Sequence, residues 1–373
     1  MNGRFYLDHN ATTQLRPEAR AEMLAALEFT GNPSSVHAEG RKARRIVEEA
    51  REKIAALFEA EPSGIYFTSG GTEAANWLLH PRANAEFAVS AVEHPCVLNG
   101  HRFEPGTART VAVSEDGIIK LEAFEDALTP GAVAAVQAAN NETGVIQPLD
   151  AIAEIVKSKG AALICDAVQA VGRVPLRNLR KADALFFSAH KFGGPKGVGA
   201  VAVRDSAFPL HPLIKGGGQE RRQRSGTENV AGIAGMAAAL DAAVTEQSEF
   251  AARAVALRGK LELGLLSAAP NAVIFGAGAE RLPNTTCFAV PGKSAEVLLI
   301  AFDLDGVAVS SGSACSSGKV ERSHVLTAMG VRPELAGGAI RVSSGWTTTE
   351  ACIERFLTVF ERICSAGQAR HAA

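Results

Sequence analysis

Residues 183–199 read Asp-Ala-Leu-Phe-Phe-Ser-Ala-His-Lys-Phe-Gly-Gly-Pro-Lys-Gly-Val-Gly, an apolar run that delivers Ser188, His190 and Lys191 into a glycine-rich turn. A short apolar run closed by turn residues reads as a buried strand. A lysine presented at its end can form a Schiff base with a carbonyl cofactor, and the hydroxyl, imidazole and backbone N–H groups beside it suit a phosphate. On these residues alone a solvated lysine beside a surface loop fits as well.

Upstream, Ala161-Ala162-Leu163-Ile164-Cys165-Asp166 reads as a second buried strand, ending in a carboxylate with Gln169 on the next turn. A buried Asp needs a cationic partner. The protonated ring nitrogen of pyridoxal phosphate (PLP) would be one, since PLP sites pair a lysine Schiff base with such an Asp. Capping the helix that starts near Ala167 is the other reading of Asp166, and the two are compatible.

Outward from these two strands, apolar runs at 65–68, 87–92, 133–138 and 198–203 alternate with helical segments. Alternation of this kind predicts an α/β fold with right-handed crossovers and a mainly parallel sheet, with ligands at the carboxyl ends of the strands. Thr72, His94, Asn141, Asp166 and Lys191 fall at those ends. Residues 229–266 are Ala-rich and helical, and 284–290, 307–310 and 339–342 read as strands of a second, smaller unit. A final helix is expected near 350–364, with a short polar tail behind it. The start, Phe5-Tyr6-Leu7, is strand-like.

The chain has 373 residues, is 47% hydrophobic and carries a net charge of −2, as a globular protein of two domains would, and nothing in its charge points to nucleic acid. Six cysteines, at 96, 165, 287, 315, 352 and 364, show neither Cys-x-x-Cys nor metal-ligand spacing with His, so neither zinc nor a disulfide framework is expected. Reduced thiols in the cytoplasm are the simpler expectation. No basic-then-apolar leader and no apolar run of membrane-spanning length is present in the sequence, so no membrane partner is expected.

Further motifs complete the picture. Phe67-Thr68-Ser69-Gly70-Gly71-Thr72-Glu73 is a strand, a glycine turn and a helix start, where free N–H groups and the helix dipole meet an anion. Arg341, in the alternating run Ala339-Ile340-Arg341-Val342-Ser343, is a planar fork suited to a carboxylate, or to an ordinary salt bridge. Cys315 lies in Ser310-Ser311-Gly312-Ser313-Ala314-Cys315-Ser316-Ser317-Gly318, small residues that lack the apolar surroundings of an inert structural thiol. The other five cysteines sit in or beside apolar segments and read as core.

With Tyr6-Leu7-Asp8-His9-Asn10-Ala11-Thr12-Thr13, Gly31-Asn32-Pro33-Ser34-Ser35, Glu93-His94, Asn140-Asn141-Glu142-Thr143-Gly144 and Arg224-Ser225-Gly226-Thr227, these motifs run nearly end to end in one order. In that order the chain resembles the NifS/IscS-like cysteine desulfurases, PLP enzymes of the class V aminotransferase family. The resemblance implies PLP-dependent fold type I. A large PLP-binding domain would span 15–255, and 1–14 with 256–373 would form a smaller α/β domain carrying the cysteine loop and the carboxylate-binding Arg.

It also implies roles. Lys191 would carry the cofactor and move the substrate's α-proton, with Asp166 on the ring nitrogen and His94 over the ring as proton handler. Gly71, Thr72, Ser188 and His190 would hold the phosphate, and Thr227 would reach the phosphate of the partner subunit in a homodimer. Asn141 and Gln169 would donate to the phenolic oxygen. Arg341, with Asn32 and Asn141, would hold the carboxylate of L-cysteine. Cys315 would take the sulfur as a persulfide, releasing L-alanine, and pass it to acceptors such as an iron–sulfur scaffold protein. The Cys315 loop would then lie at the mouth of the site, exposed and beyond hydrogen-bonding reach of Lys191.

One departure stands out. After the cysteine loop the chain has Gly318-Lys319-Val320-Glu321-Arg322-Ser323-His324 where housekeeping members carry a Leu-Glu-Pro-Ser type of segment, which bears on the acceptor. The long Ser-Gly loop favours the NifS/IscS branch over the branch with selenocysteine lyase activity. Two rivals remain at this level, another class V PLP enzyme such as an aminotransferase, and an idle scaffold paralogue. Alanine and sulfide from cysteine, and a yellow lysine Schiff base, distinguish them.

Overall fold

The structure, a computed structural model, describes residues 3–81, 85–104, 106–205, 208–312 and 322–371. After a short first strand, β1 (Phe5–Tyr6), a seven-stranded sheet is built from β2 (Ile65–Thr68), β3 (Phe87–Ser90), β4 (Ala108–Val111), β5 (Val133–Gln137), β6 (Ala162–Asp166), β7 (Ala184–Ser188) and β8 (Gly199–Val203). Their order is β2-β8-β7-β6-β5-β3-β4.

The β-branched and aromatic content of these runs suits strands buried on both faces, and side chains alternate between two cores. Leu185 and Phe187 pack with Ile54, Phe58, Met236 and Leu240, from the helices Ala38–Phe58 and Val230–Thr245. Ala184 and Phe186 face the opposite core with Trp77 and Leu78 of the helix Gly71–Leu78. Each fully buried Phe contributes roughly 1.5–3 kcal/mol of apolar burial.

The expected mainly parallel α/β sheet is present, with one exception. β8 runs antiparallel to both β7 and β2. Only 189–198 connect β7 to β8, too short for a crossover helix, so the chain doubles back. The consequence for the site is direct: β2, β3, β5, β6 and β7 all end at the same edge of the sheet, and β8 begins there. Gly199 makes that approach possible, because a Cβ there would lie 2.6 Å from the carbonyl oxygen of Phe187 and 2.8 Å from the Gly70 backbone.

A second, antiparallel sheet, in the order β12-β13-β10-β9, is formed by β9 (Val273–Ile274), β10 (Thr285–Ala289), β12 (Ser310–Ser311) and β13 (Ile340–Ser343). β11 (Val307–Ala308) instead pairs in parallel with β1. The expected strand at 307–310 is thus two strands in two sheets. The pairings of β4 and β9 came with no comparable apolar signal, since both are short and partly exposed. A separate core of Leu7, Leu261, Phe288, Phe302, Phe356 and Phe360 lies under this sheet. The last helix spans Glu350–His371, past the expected end at 364, because Ser365 to Arg370 include good helix formers such as Ala, Gln and Arg. Among the described residues no helix is long and apolar enough to cross a membrane.

Candidate active site

The carboxyl ends of the strands enclose a cavity of about 330 Å³. Ten of the candidate residues line it: Gly71, Thr72, His94, Asn141, Asp166, Gln169, Ser188, His190, Lys191 and Arg341. Asn32 and Thr227 do not. Both are exposed, and the Asn32 side chain accepts from the Ser34 N–H at 2.9 Å, closing its own turn. Cys315, and with it the expected placement of its loop, lies outside the described residues.

Lys191 follows β7 in a single 3₁₀ turn, 189–191. Its Nζ donates to the carbonyls of Asn10 at 2.7 Å and Ala11 at 2.9 Å. Burial, helped by the positive charges of Arg341 and Arg173, pulls its pKa down to about 7, so a neutral nucleophilic amine is populated near neutrality. Asp166, at the end of β6, accepts from the Val168 N–H at 2.9 Å, and burial raises its pKa to about 6. A carboxylate in that condition is stabilised by a cation brought into the cavity.

Gln169 shows how its amide is oriented. Arg173, one turn on, donates to its Oε1 and leaves Nε2 as the donor, here to the Asn10 carbonyl at 3.0 Å. Arg173 is buried, and its other bonds are to the backbone carbonyls of Gln169, His9 and Lys191. Burial and the Arg341 charge lower its pKa to about 9. Nothing in the sequence pattern singled out Arg173, which lies in a run of turns four positions after Gln169.

His94 caps the short helix Pro95–Leu98, its Nδ1 accepting from the Cys96 N–H at 3.1 Å. That leaves the proton on Nε2. Burial first, then the charges of Lys191 and His324, lower its pKa to about 4, and the ring is neutral at ordinary pH. Cys96 lines the cavity and is half-buried, as is Cys352, where core positions were expected; only Cys165, Cys287 and Cys364 of the described cysteines are buried. At the start of a short capped helix, Cys96 both lines the cavity and packs against the apolar core behind it. Glu93, fully buried behind it, accepts from the Gln137 N–H at 2.8 Å through one oxygen, while its other oxygen has no partner among the described residues. Its pKa lies well above the usual carboxylate range, through burial and then the Asp166 charge.

Arg341 projects from β13, which pairs with Cys287 of β10 and Ser310 of β12. Nη2 meets Asp8 Oδ1 at 2.7 Å, Nη1 meets the Asn141 carbonyl at 3.0 Å, and the buried Nε has no partner among the described residues. Beside it, Glu142 joins the two stems of the segment 313–321. The Ser323 hydroxyl donates to its Oε2 at 2.5 Å, and a Cβ on Gly312 would stand 2.5 Å from the same oxygen. Gly312 lines the cavity, so the chain enters that segment from the cavity wall.

Next to the cavity, Ser69, Gly70, Thr72, Ser188, His190 and Lys196 line an open concavity at the start of the helix Gly71–Leu78. Gly70 takes φ 153°, which a side chain resists. The His190 Nδ1 bonds the Thr12 hydroxyl at 3.1 Å, and burial with the charges of Lys191, Lys196 and Arg173 lowers its pKa to about 4. Neutral donors and unsatisfied N–H groups at a helix start fit a phosphate. The residues present therefore fit PLP: among the described residues Asp166 has no salt bridge and feels only the charge of Lys191, Arg341 Nε has no acceptor, and the first N–H groups of the helix face the open concavity while Glu73 is turned to Ser69 and Arg224. No group of three or more metal-ligating side chains occurs among the described residues.

Comparison with known proteins follows the same lines. Residues 5–356 match the family Aminotransferase class-V. A cysteine desulfurase of Cereibacter sphaeroides is 44% identical over 374 residues, covering 96% of this chain and 95% of that protein. The cysteine desulfurase IscS of Clostridium botulinum is 37% identical over 97% of this chain and 95% of its own length. The X-ray structure of a NifS-like protein from Rickettsia africae superposes with a TM-score of 0.88 at 36% identity, covering 96% of this chain and 99% of that one.

Proposed function

We propose, from the premise that the chain belongs to the class-V aminotransferase family, that it is a PLP-dependent cysteine desulfurase converting L-cysteine to L-alanine and passing the sulfur on as a persulfide. The observation that carries this is one cavity containing an amine of pKa about 7 (Lys191), a buried carboxylate with no salt bridge among the described residues (Asp166) and a guanidinium whose buried Nε–H has no acceptor among them (Arg341). Bound PLP supplies an electron sink conjugated to the substrate's α-carbon.

The protein's own groups do the rest. Arg341 grips the substrate carboxylate, exchanging Asp8 for it or adding it at Nε. Lys191, whose neutral form is populated near pH 7, takes the α-proton and returns a proton to the carbon skeleton once the sulfur has left. Asp166 keeps a proton on the ring nitrogen by remaining negative beside it. His94 carries its proton on Nε2 and handles the substrate thiol, while Gln169, fixed by Arg173, donates through Nε2 to the phenolic oxygen together with Asn141. Gly71, Thr72, Ser188 and His190 hold the phosphate. The Cys315 thiolate attacks the substrate sulfur: an S–S bond forms as the substrate C–S bond breaks, the C–S electron pair stays on the β-carbon, and that carbon takes up a proton as the skeleton leaves as L-alanine.

Thr227, exposed in the single chain, serves the partner's cavity in a homodimer. The persulfide goes to acceptor proteins such as an iron–sulfur scaffold, in a reducing, cytoplasmic setting that the free thiols support. The test is chemical. Purified protein with PLP and L-cysteine releases L-alanine and gains 32 Da on Cys315 alone; sulfur found on Cys96 instead, or pyruvate in place of alanine, defeats the reading.

A further inference from the structure

Among the described residues the sheet ends at β2, whose outward N–H and C=O groups have no neighbouring strand. Side chains take that place. The Ile65 carbonyl accepts from Arg51 Nη1 at 2.6 Å and from Arg221 Nη2 at 2.8 Å, and the Phe67 N–H donates to Glu220 Oε2 at 3.0 Å. Glu220 in turn forks Arg51, Oε1 to Nη2 at 2.7 Å and Oε2 to Nη1 at 3.0 Å, with both side chains 3% exposed or less.

To lay both Glu220 and Arg221 along one strand edge, the backbone runs left-handed through three consecutive non-glycine residues, with φ of 44°, 54° and 65° at Glu220, Arg221 and Arg222. Among the described residues the one other non-glycine with positive φ is Glu59, at a helix end. Left-handed runs of side-chain-bearing residues persist only where surrounding contacts over-determine them. The chain leaves this run directly into Arg224-Ser225-Gly226-Thr227. Arg224 is forked by Glu73, the third residue of the helix beyond the phosphate turn, and Ser225 is tied to Ile214 and Gly217. The base of the loop is fixed on its own chain while Thr227 at its tip stands exposed.

We infer that Glu220 is a positioning residue whose fork with Arg51 aims the Arg224–Thr227 loop at the phosphate of the neighbouring subunit's cofactor. The inference rests on the homodimer reading above. One carboxylate thereby holds the strand that delivers a subunit's own phosphate turn and the loop that completes its partner's phosphate site.

Mixed dimers test it. The absorbance of the lysine Schiff base, followed during PLP titration of apoprotein, reports only sites that contain Lys191. Glu220→Gln keeps an acceptor for the Phe67 N–H but loses the charged fork. Its homodimer is expected to stay dimeric by size exclusion and to bind PLP about tenfold more weakly, the effect of losing one charge-assisted contact. In a mixed dimer with a Lys191→Ala chain, the reporting site takes Lys191 from the Glu220→Gln chain and its loop from the other, and wild-type PLP affinity should return. A mixed site as weak as the homodimer, or a homodimer as tight as wild type, overturns the inference. Arg51→Lys supplies the same comparison should Glu220→Gln fail to assemble. Thr227→Ala paired with Lys191→Ala separates the two layers: if its site is not restored, the dimer reading fails; if it is restored while Glu220→Gln is not, only the role of Glu220 falls.

Discussion

Two regions of this molecule bury several charges each, and they do so in opposite ways. At the sheet edge, Arg51 and Glu220 satisfy one another and the strand beside them. In the cavity, Arg173 meets carbonyls and an amide, Lys191 meets carbonyls, Asp166 meets one backbone N–H, and Arg341 keeps an N–H free. Completed charge is architecture. Incomplete charge is a mould for a ligand, because each deficit is relieved only when the missing partner arrives.

The sharpest way to break the contrast is Lys191→Ala. Alanine production should fall by at least about 10³-fold, as expected for loss of a group that both binds cofactor and moves protons, while the apoprotein's melting temperature holds or rises. Turnover near the wild-type rate would return Lys191 to the ranks of solvated lysines. Glu220→Ala should do the reverse for the fold, costing roughly 3–5 kcal/mol in urea unfolding by stranding Arg51. A loss below about 1 kcal/mol would make the fork an ordinary surface pair.

Titration sharpens the contrast further. The Lys191 pKa falls from 10.5 to about 7 on folding, so between those values the unfolded chain holds the extra proton and stability rises with pH. Asp166 is the opposite case. Its pKa rises from 3.8 to about 6, so its contribution is present below about 4 and is lost as pH climbs through 6. Apoprotein carrying Asp166→Asn should therefore lose the stability decline between pH 4 and 6, and Lys191→Ala the gain between 7 and 10.5, in denaturation curves compared with wild type. Unchanged pH profiles would mean that these groups are solvated. The smallest effect belongs to Arg222→Gly. Relief of about 1–2 kcal/mol at a left-handed position, less about 0.5–1 for the added freedom of the unfolded chain, leaves roughly 0.5 kcal/mol of stabilisation; a destabilised variant would mean that the turn is held by the Arg222 side chain itself.

Which of these regions could be read from the sequence follows from range. Lys191, Asp166 and the Gly70-Gly71 turn each sit where an apolar run meets a turn, and local pattern marks such places. The direction of β8 was legible in principle from the short, Gly-rich link at 189–198. Arg173, Glu93 and Asp8 carried no local signal, since their importance is set by what other segments bring to them. Arg51 and Glu220 lie 169 positions apart, joined through a left-handed run that no residue preference announces. Thr227 and Asn32 could be named only through the family's motifs, and a single chain leaves them outside the cavity.

Glu142 receives Ser323 and abuts Gly312, so the two ends of 313–321 are gathered at one carboxylate. For a span whose ends are already fixed, added length is cheap: doubling it costs only about 0.6 kcal/mol of closure entropy. In chain-closure terms the length between those two fixed ends can vary, while Cys315, which carries the sulfur in the function proposed above, cannot be exchanged without losing the reaction.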